Sequence, residues 1–196
     1  MFTSLHQFID EWKMEADLTQ KVLQVLTNES LQQQVAPDHF TLGKLAWHIT
    51  LSVHYFLSAA GLEFQAEGNW LEFQDQGKDS DQPTSAASIT EAYDRTSRAM
   101  LDALQTQWND ATLSKTRNMW GTIVLPISAV LRLLIQHQAH HRGQMFVLMR
   151  QAGLVVPGVY GPSREERAAE RSECRCLKLK LEYLGEMTEH PTTNLS

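Results

Sequence analysis

Cysteine is scarce in this chain. The two that occur among 196 residues, Cys174 and Cys176, are separated by one residue, a spacing poorly suited to an intrachain disulfide. No disulfide framework is expected, and a reducing cytosol fits. Long apolar runs are missing as well: no stretch approaches 18 uninterrupted apolar residues, which argues against a membrane-spanning helix. Met1 to Trp12 carries Asp10 and Glu11 and lacks the charged-then-apolar pattern of a signal peptide, so a soluble cytoplasmic protein without membrane association is expected. Clustered bases are missing too. With 23 acids against 17 bases, a net charge of −6 and no long basic run, the chain offers little for counterion-releasing contacts to nucleic acid. At this length it suits one domain, or one domain with an appendage.

What the sequence does have is helical periodicity. From Ser4 to about Asn28, Leu5, Phe8, Trp12, Ala16, Val22, Leu23 and Leu26 recur at three- and four-residue steps with no Pro or Gly between them. Thr41 caps a second helix that runs to about Ala60 and stops at Gly61. Residues 62–87, with Gly68, Gly77 and Pro83, read as a long connection, which allows the third helix to run parallel to the second. Ser88 and Glu91 have capping-box spacing, and the third helix is expected to reach about Trp108. After an irregular stretch, a fourth helix starts near Pro126 and extends to Ala152. Without a convincing strand period, the pattern predicts an all-α fold, a four-helix bundle. From about Arg167 the sequence changes character, so the expected division is a bundle over 1–166 and an appendage over 167–196 that holds both cysteines.

Eight histidines are present, and two of them are placed to converge. His137 and His141 lie one turn apart on the fourth helix, continuing an apolar stripe of Val130, Leu134, Met145 and Leu148. Such imidazoles face the bundle interior and need partners there. On the second helix, His48 and His54 are about 120° apart around the axis and cannot share one site; His48 is the better inward candidate, either as a ligand or as a core histidine beside Trp47. His140 is offset from His141 by about 100° and belongs to the periphery.

The residue types narrow the chemistry. A metalloprotease His pair carries Glu after its first His, whereas Gln138 stands here and cannot take up a proton. A ferritin-like di-iron site needs carboxylates, and the fourth helix has none. The remaining expectation is an imidazole-rich site of three protein ligands, suited to Zn, Ni, Fe or Cu, with positions open for water or substrate. Residues 111–164 add Lys115, Arg117, Arg132, Arg142, Arg150 and Arg164 without one acid, which is either a solvated helix face or a means of attracting an anionic small-molecule substrate.

The segments Thr41-Leu42-Gly43-Lys44-Leu45-Ala46-Trp47-His48, HQAHHRGQ over 137–144, and Leu154-Val155-Val156-Pro157-Gly158-Val159-Tyr160-Gly161-Pro162-Ser163 together resemble the DinB/YfiT-like proteins, a family of bacterial metal-binding four-helix bundles. The resemblance covers residues from about 1 to 166. It implies up-down-down-up topology, a divalent metal, Zn or Ni foremost, held by His48, His137 and His141, and a homodimer. Members of the wider superfamily transfer low-molecular-weight thiols such as bacillithiol or mycothiol, so the leading expectation is a metal-dependent thiol S-transferase, with Arg142 as a possible holder of a thiol's carboxylate. The alternatives are a non-catalytic metal-binding bundle acting in a stress response and a metal-assisted hydrolase whose base comes from the 62–87 connection, for instance Glu72 or Asp75.

Overall fold

Hydroxyl side chains open three of the four long helices. Ser4 accepts from the Gln7 N–H at the head of α1 (Leu5–Leu23), Thr41 from the Lys44 N–H at the head of α2 (Leu42–Ala59), and Ser85 from the Ser88 N–H at the head of α3 (Ala86–Gln107). Pro126 precedes α4 (Ile127–Gln151), the longest at 25 residues. The computed structural model describes residues 1–70, 83, 85–169 and 171. Within it the chain forms two compact units, Met1–Val155 and Val156–Ser196.

In the first unit, α1 and α2 each pack against both α3 and α4. Cross-helix hydrogen bonds give the directions. The Leu5 N–H donates to Asp110 Oδ1 and the Ala86 N–H to Asn28 Oδ1, so the start of α1 meets the end of α3 and the reverse, an antiparallel pair. Glu11 pairs with Arg132 and Glu15 with Arg142, so α1 and α4 run parallel. Gln138 on α4 donates to the Ile49 carbonyl on α2, while Leu45 and Leu148 line a common cavity, so those two helices are antiparallel. The topology is up-down-down-up. Leu5, Phe8, Ile9, Trp12, Val22 and Leu23 of α1 pack with Ile49, Val53 and Leu57 of α2, Ile89 and Met100 of α3, and Val130, Leu134 and Met145 of α4 as the buried apolar core.

Three local features depart from the sequence expectation. Helix α1 stops at Leu23 instead of near Asn28, because Thr27 and Ser30 exchange side-chain to backbone hydrogen bonds (3.0 and 3.2 Å) and start a short 3-10 turn at Ser30–Gln32. Helix α3 is capped by Ser85, one turn before the expected Ser88. The stretch read as irregular holds a two-stranded antiparallel hairpin, β1 (Thr116–Met119) and β2 (Ile123–Pro126). Four residues per strand with no clean burial alternation leave little period to read. Its turn has φ of 55° at Trp120 and 74° at Gly121, the left-handed pair of a primed hairpin turn. A Trp is costly there, and its ring is held by stacking on Tyr55 (5.1 Å between centroids, 10° between planes) and by an edge contact with Phe56.

The chain leaving α2 folds back over that helix at Gly68, whose φ is +67° and whose absent Cβ would lie 2.5 Å from the Trp47 ring. Only glycine fits this approach. The return brings Trp70 onto the stack, 4.3 Å from Tyr55.

In the second unit, Glu166 accepts from the Gly158 and Ser163 N–H groups (2.9 and 2.8 Å), and the Ser163 hydroxyl accepts from the Glu166 N–H (3.1 Å). This capping box opens a helical segment at residue 164 and cinches the VPGVYGPS loop. A Cβ on Gly158 would collide with the Glu166 carboxylate and the Gly161 carbonyl. Cys174 and Cys176 lie outside the described residues, as do Glu72 and Asp75.

Candidate metal centre

The helical step that places His137 and His141 on one face of α4, and the antiparallel approach of α2, bring three imidazoles to one point. The Nε2 atom of His48 is 3.1 Å from that of His137 and 3.0 Å from that of His141, and the last two are 3.1 Å apart. Three neutral imidazoles cannot satisfy such a triangle. Each Nε2 either carries a proton or offers a lone pair, so at least two of the three must be alike and repel. A cation at the centre removes that conflict. Tetrahedral coordination at about 2.0–2.1 Å sets ligand nitrogens about 3.3 Å apart, so the trio fits an ion after opening by a few tenths of an ångström. The three side chains can hold one metal ion, and among the described residues no carboxylate joins them.

Surrounding groups prepare these nitrogens. Gln144, one turn beyond His141, has its amide oxygen 2.7 Å from His141 Nδ1. An amide oxygen only accepts, so Nδ1 carries the proton and Nε2 keeps its lone pair toward the cluster. The Gln144 amide nitrogen is 3.2 Å from His140 Nε2, which ties the exposed His140 to the same network. Sequence reading had given Gln144 no part; its i+3 spacing from His141 was the available signal. Trp70 and Phe40 lie 5.0 and 6.1 Å from the His48 ring and Phe56 lies 5.0 Å from His137. Burial among these rings pushes the His48 imidazole down to about 3, helped by His141 and His137, and His137 down to about 4, helped by His141 and His140. His141 is also lowered by burial, against the opposing effect of the hydrogen bond it donates to Gln144. All three are neutral at pH 7, the form that binds metal.

The other sequence candidates have different places. His54 packs its ring on Phe64, 5.1 Å away, and lines a separate cavity with Ser58 and Gln65. Gln138 is fully buried and donates to the Ile49 carbonyl and the Ser52 hydroxyl, so the position of a metalloprotease base is turned into the α2–α4 interface. Arg142 is a correction to the expectation of a substrate-carboxylate holder. It is 1% exposed and its guanidinium donates to the Glu15 carboxylate (2.6 Å), the Glu15 carbonyl (3.1 Å) and the Thr19 hydroxyl (2.9 Å). The helical offset of about 100° from His141 turns it toward α1. Arg132 likewise pairs with Glu11. Two of the three arginines on α4 are therefore met by acids on α1, which weakens the case for an anion-attracting surface.

The DinB family profile matches residues 1–173. The chain belongs to the DinB family. It is 46% identical over 168 residues to YrdA of Bacillus subtilis (strain 168), covering 86% of this chain and 95% of that protein. A solved DinB-like protein from Bacillus cereus ATCC 10987 matches with a TM-score of 0.73 at 45% identity, over 82% of this chain and 100% of that one. The solved DinB-like protein YjoA of Bacillus subtilis matches with a TM-score of 0.58 at 20% identity, over 78% and 97% of the two chains, and speaks to the fold alone. DinB membership accounts for the bundle; the triad geometry carries the chemistry.

Proposed function

We propose that this DinB-family protein is a divalent-metal-dependent transferase that presents a low-molecular-weight thiol, bacillithiol being the first to test, to an electrophilic small molecule. The reading rests on the convergence of three Nε2 atoms at 3.0–3.1 Å with no carboxylate among them. Bound there, an ion such as Zn or Ni supplies Lewis acidity whose charge three neutral imidazoles leave uncompensated, and this favours a thiolate over a thiol at neutral pH.

The chain's own residues do the rest. His48, His137 and His141 offer lone pairs that burial keeps unprotonated. Gln144 holds His141 in the tautomer that aims its lone pair inward. Phe40, Phe56 and Trp70 reduce the access of bulk water to the cluster. In the net reaction a carbon–sulfur bond forms as the bond from carbon to its leaving group breaks, and the thiol proton passes to solvent. Gln138 is turned into the α2–α4 interface, so the position that carries the base in a helical metalloprotease pair supplies none here, which favours transfer over hydrolysis by that route.

Metal analysis of protein purified without chelator tests the site. The expected result is near one Zn or Ni per chain, lost in a His137→Ala/His141→Ala variant. Absence of metal from the unaltered protein overturns the proposal. Conjugation of bacillithiol to a chromogenic aryl halide, with and without metal, tests the transfer; bound metal without conjugation leaves a non-catalytic metal-binding bundle.

A further inference from the structure

Three exposed apolar side chains meet beside the histidines. Val35, Phe40 and Val147 are 57%, 42% and 54% exposed, and all line one cavity with Leu45 and Leu148. Its volume is about 560 Å³, within the range of small-molecule sites. His141 and Gln144 form part of the same lining. The wall opposite α4 is built by the turn at 36–39, where the His39 N–H donates to the Ala36 carbonyl and Asp38 adopts a φ of 66°.

The charge of the lining is informative. Asp38 contributes an acid and no Lys or Arg is among the lining residues. Lys44 stands over the Phe40 ring at 5.0 Å and lines a different, neighbouring cavity. With Arg132 and Arg142 engaged by Glu11 and Glu15, the lining outside the histidine cluster supplies no permanent cation to hold an anion.

We infer that this cavity binds the body of an uncharged, largely apolar small molecule and delivers its reactive end to the histidine cluster along the His141 and Gln144 wall. The inference rests on the transferase reading for what happens to that molecule, and on the cavity alone for what is bound. It assigns the electrophile an aliphatic or aryl body, and it replaces the anionic substrate suggested by composition. Shape and apolar contact supply the affinity, and a carboxylate placed against Val147, Leu148 and Asp38 is penalised by desolvation and by like charge.

The test uses the 196-residue chain with methyl-labelled Val and Leu. 4-Ethylphenol, neutral at pH 7, and 4-ethylbenzoate, similar in size but anionic, are titrated with chelator present, so that no bound metal draws the carboxylate, while the methyl signals are followed. Saturable shifts at Val35, Leu45, Val147 and Leu148 are expected with the phenol, at least about tenfold tighter than with the benzoate. The shifts at Val35, Leu45 and Leu148 should vanish in Val147→Asp, an exposed position whose substitution leaves the core and the histidines in place. No saturable shift at these methyls, equal or tighter binding of the benzoate, or an unaffected Val147→Asp variant overturns the inference. Metal content of the same preparation is read separately, before chelator is added. Its absence removes the transferase reading and leaves the cavity result standing, whereas bound metal with no phenol binding removes only the cavity.

Discussion

Replacing Arg142 by Met separates a structural arginine from a substrate-binding one. The Arg142 and Glu15 side chains are 1% and 9% exposed, and three hydrogen bonds join the guanidinium to α1. Met keeps much of the volume but deletes the cation, leaving the Glu15 carboxylate buried without its ionic partner. Breaking a buried pair from one side costs about 3–5 kcal/mol, a large share of the 5–15 kcal/mol total stability of a typical domain. Glu15→Gln retains an acceptor for the guanidinium but leaves the buried cation without its counter-charge, at a cost toward the lower end of the same range of about 3–5 kcal/mol. The double variant Glu15→Leu/Arg142→Met removes both charges and is expected within about 1–2 kcal/mol of the unaltered protein, so the single and double changes are strongly non-additive. Urea unfolding followed by tryptophan fluorescence and far-ultraviolet circular dichroism, with chelator present to exclude metal linkage, reads these differences. A stability change for Arg142→Met within about 0.5 kcal/mol, the range of ordinary surface substitutions, would refute the reasoning. A raised KM for an acidic substrate at unchanged stability would return Arg142 to the binding role that the sequence suggested.

Gln144→Leu should lower zinc affinity by about 10- to 100-fold while the bundle stays folded, measured by competition with a chelating dye, because His141 loses the acceptor that fixes its tautomer. Zinc at 100 times its Kd should stabilise the unaltered protein by about 2.7 kcal/mol in thermal unfolding and His137→Ala should abolish that shift; equal shifts in both would place the metal elsewhere. In metal-free protein the folded imidazoles of His48 and His137 titrate at about 3 and 4 against an ordinary 6.5, so the unfolded chain binds more protons in between. Their contribution is complete above about pH 6.5 and is lost as pH falls toward 4 and 3, and a His48→Phe/His137→Phe variant should show a shallower decline in urea midpoint from pH 7 to 5. Gly68→Ala forces a Cβ toward Trp47 at φ +67° and should cost about 1–3 kcal/mol, visible as a lower urea midpoint.

Much of the bundle is written in local periodicity. The α4 stripe that passes through His137 and His141 requires only the 3.6-residue repeat, and Thr41 and Gly61 bound α2 through the preferences of helix ends, so these features can be read without knowing what packs against them. His48 was separable from His54 for the same reason, because angle around a helix follows from sequence number alone. Local rules say nothing about partners supplied by distant segments. Glu15 and Arg142 stand 127 positions apart, and only the parallel packing of α1 and α4 turns an apparently free base into one half of a buried pair. Likewise, the Trp120 turn is held by Tyr55 and Phe56 of α2, and the cavity beside His141 exists only because residues 35–45 fold against α4. The sequence by itself determined the helices and the histidine faces, since those depend on repeat length; the tertiary structure decided which charges are satisfied and where a substrate has room, since those depend on contacts between residues far apart in the chain.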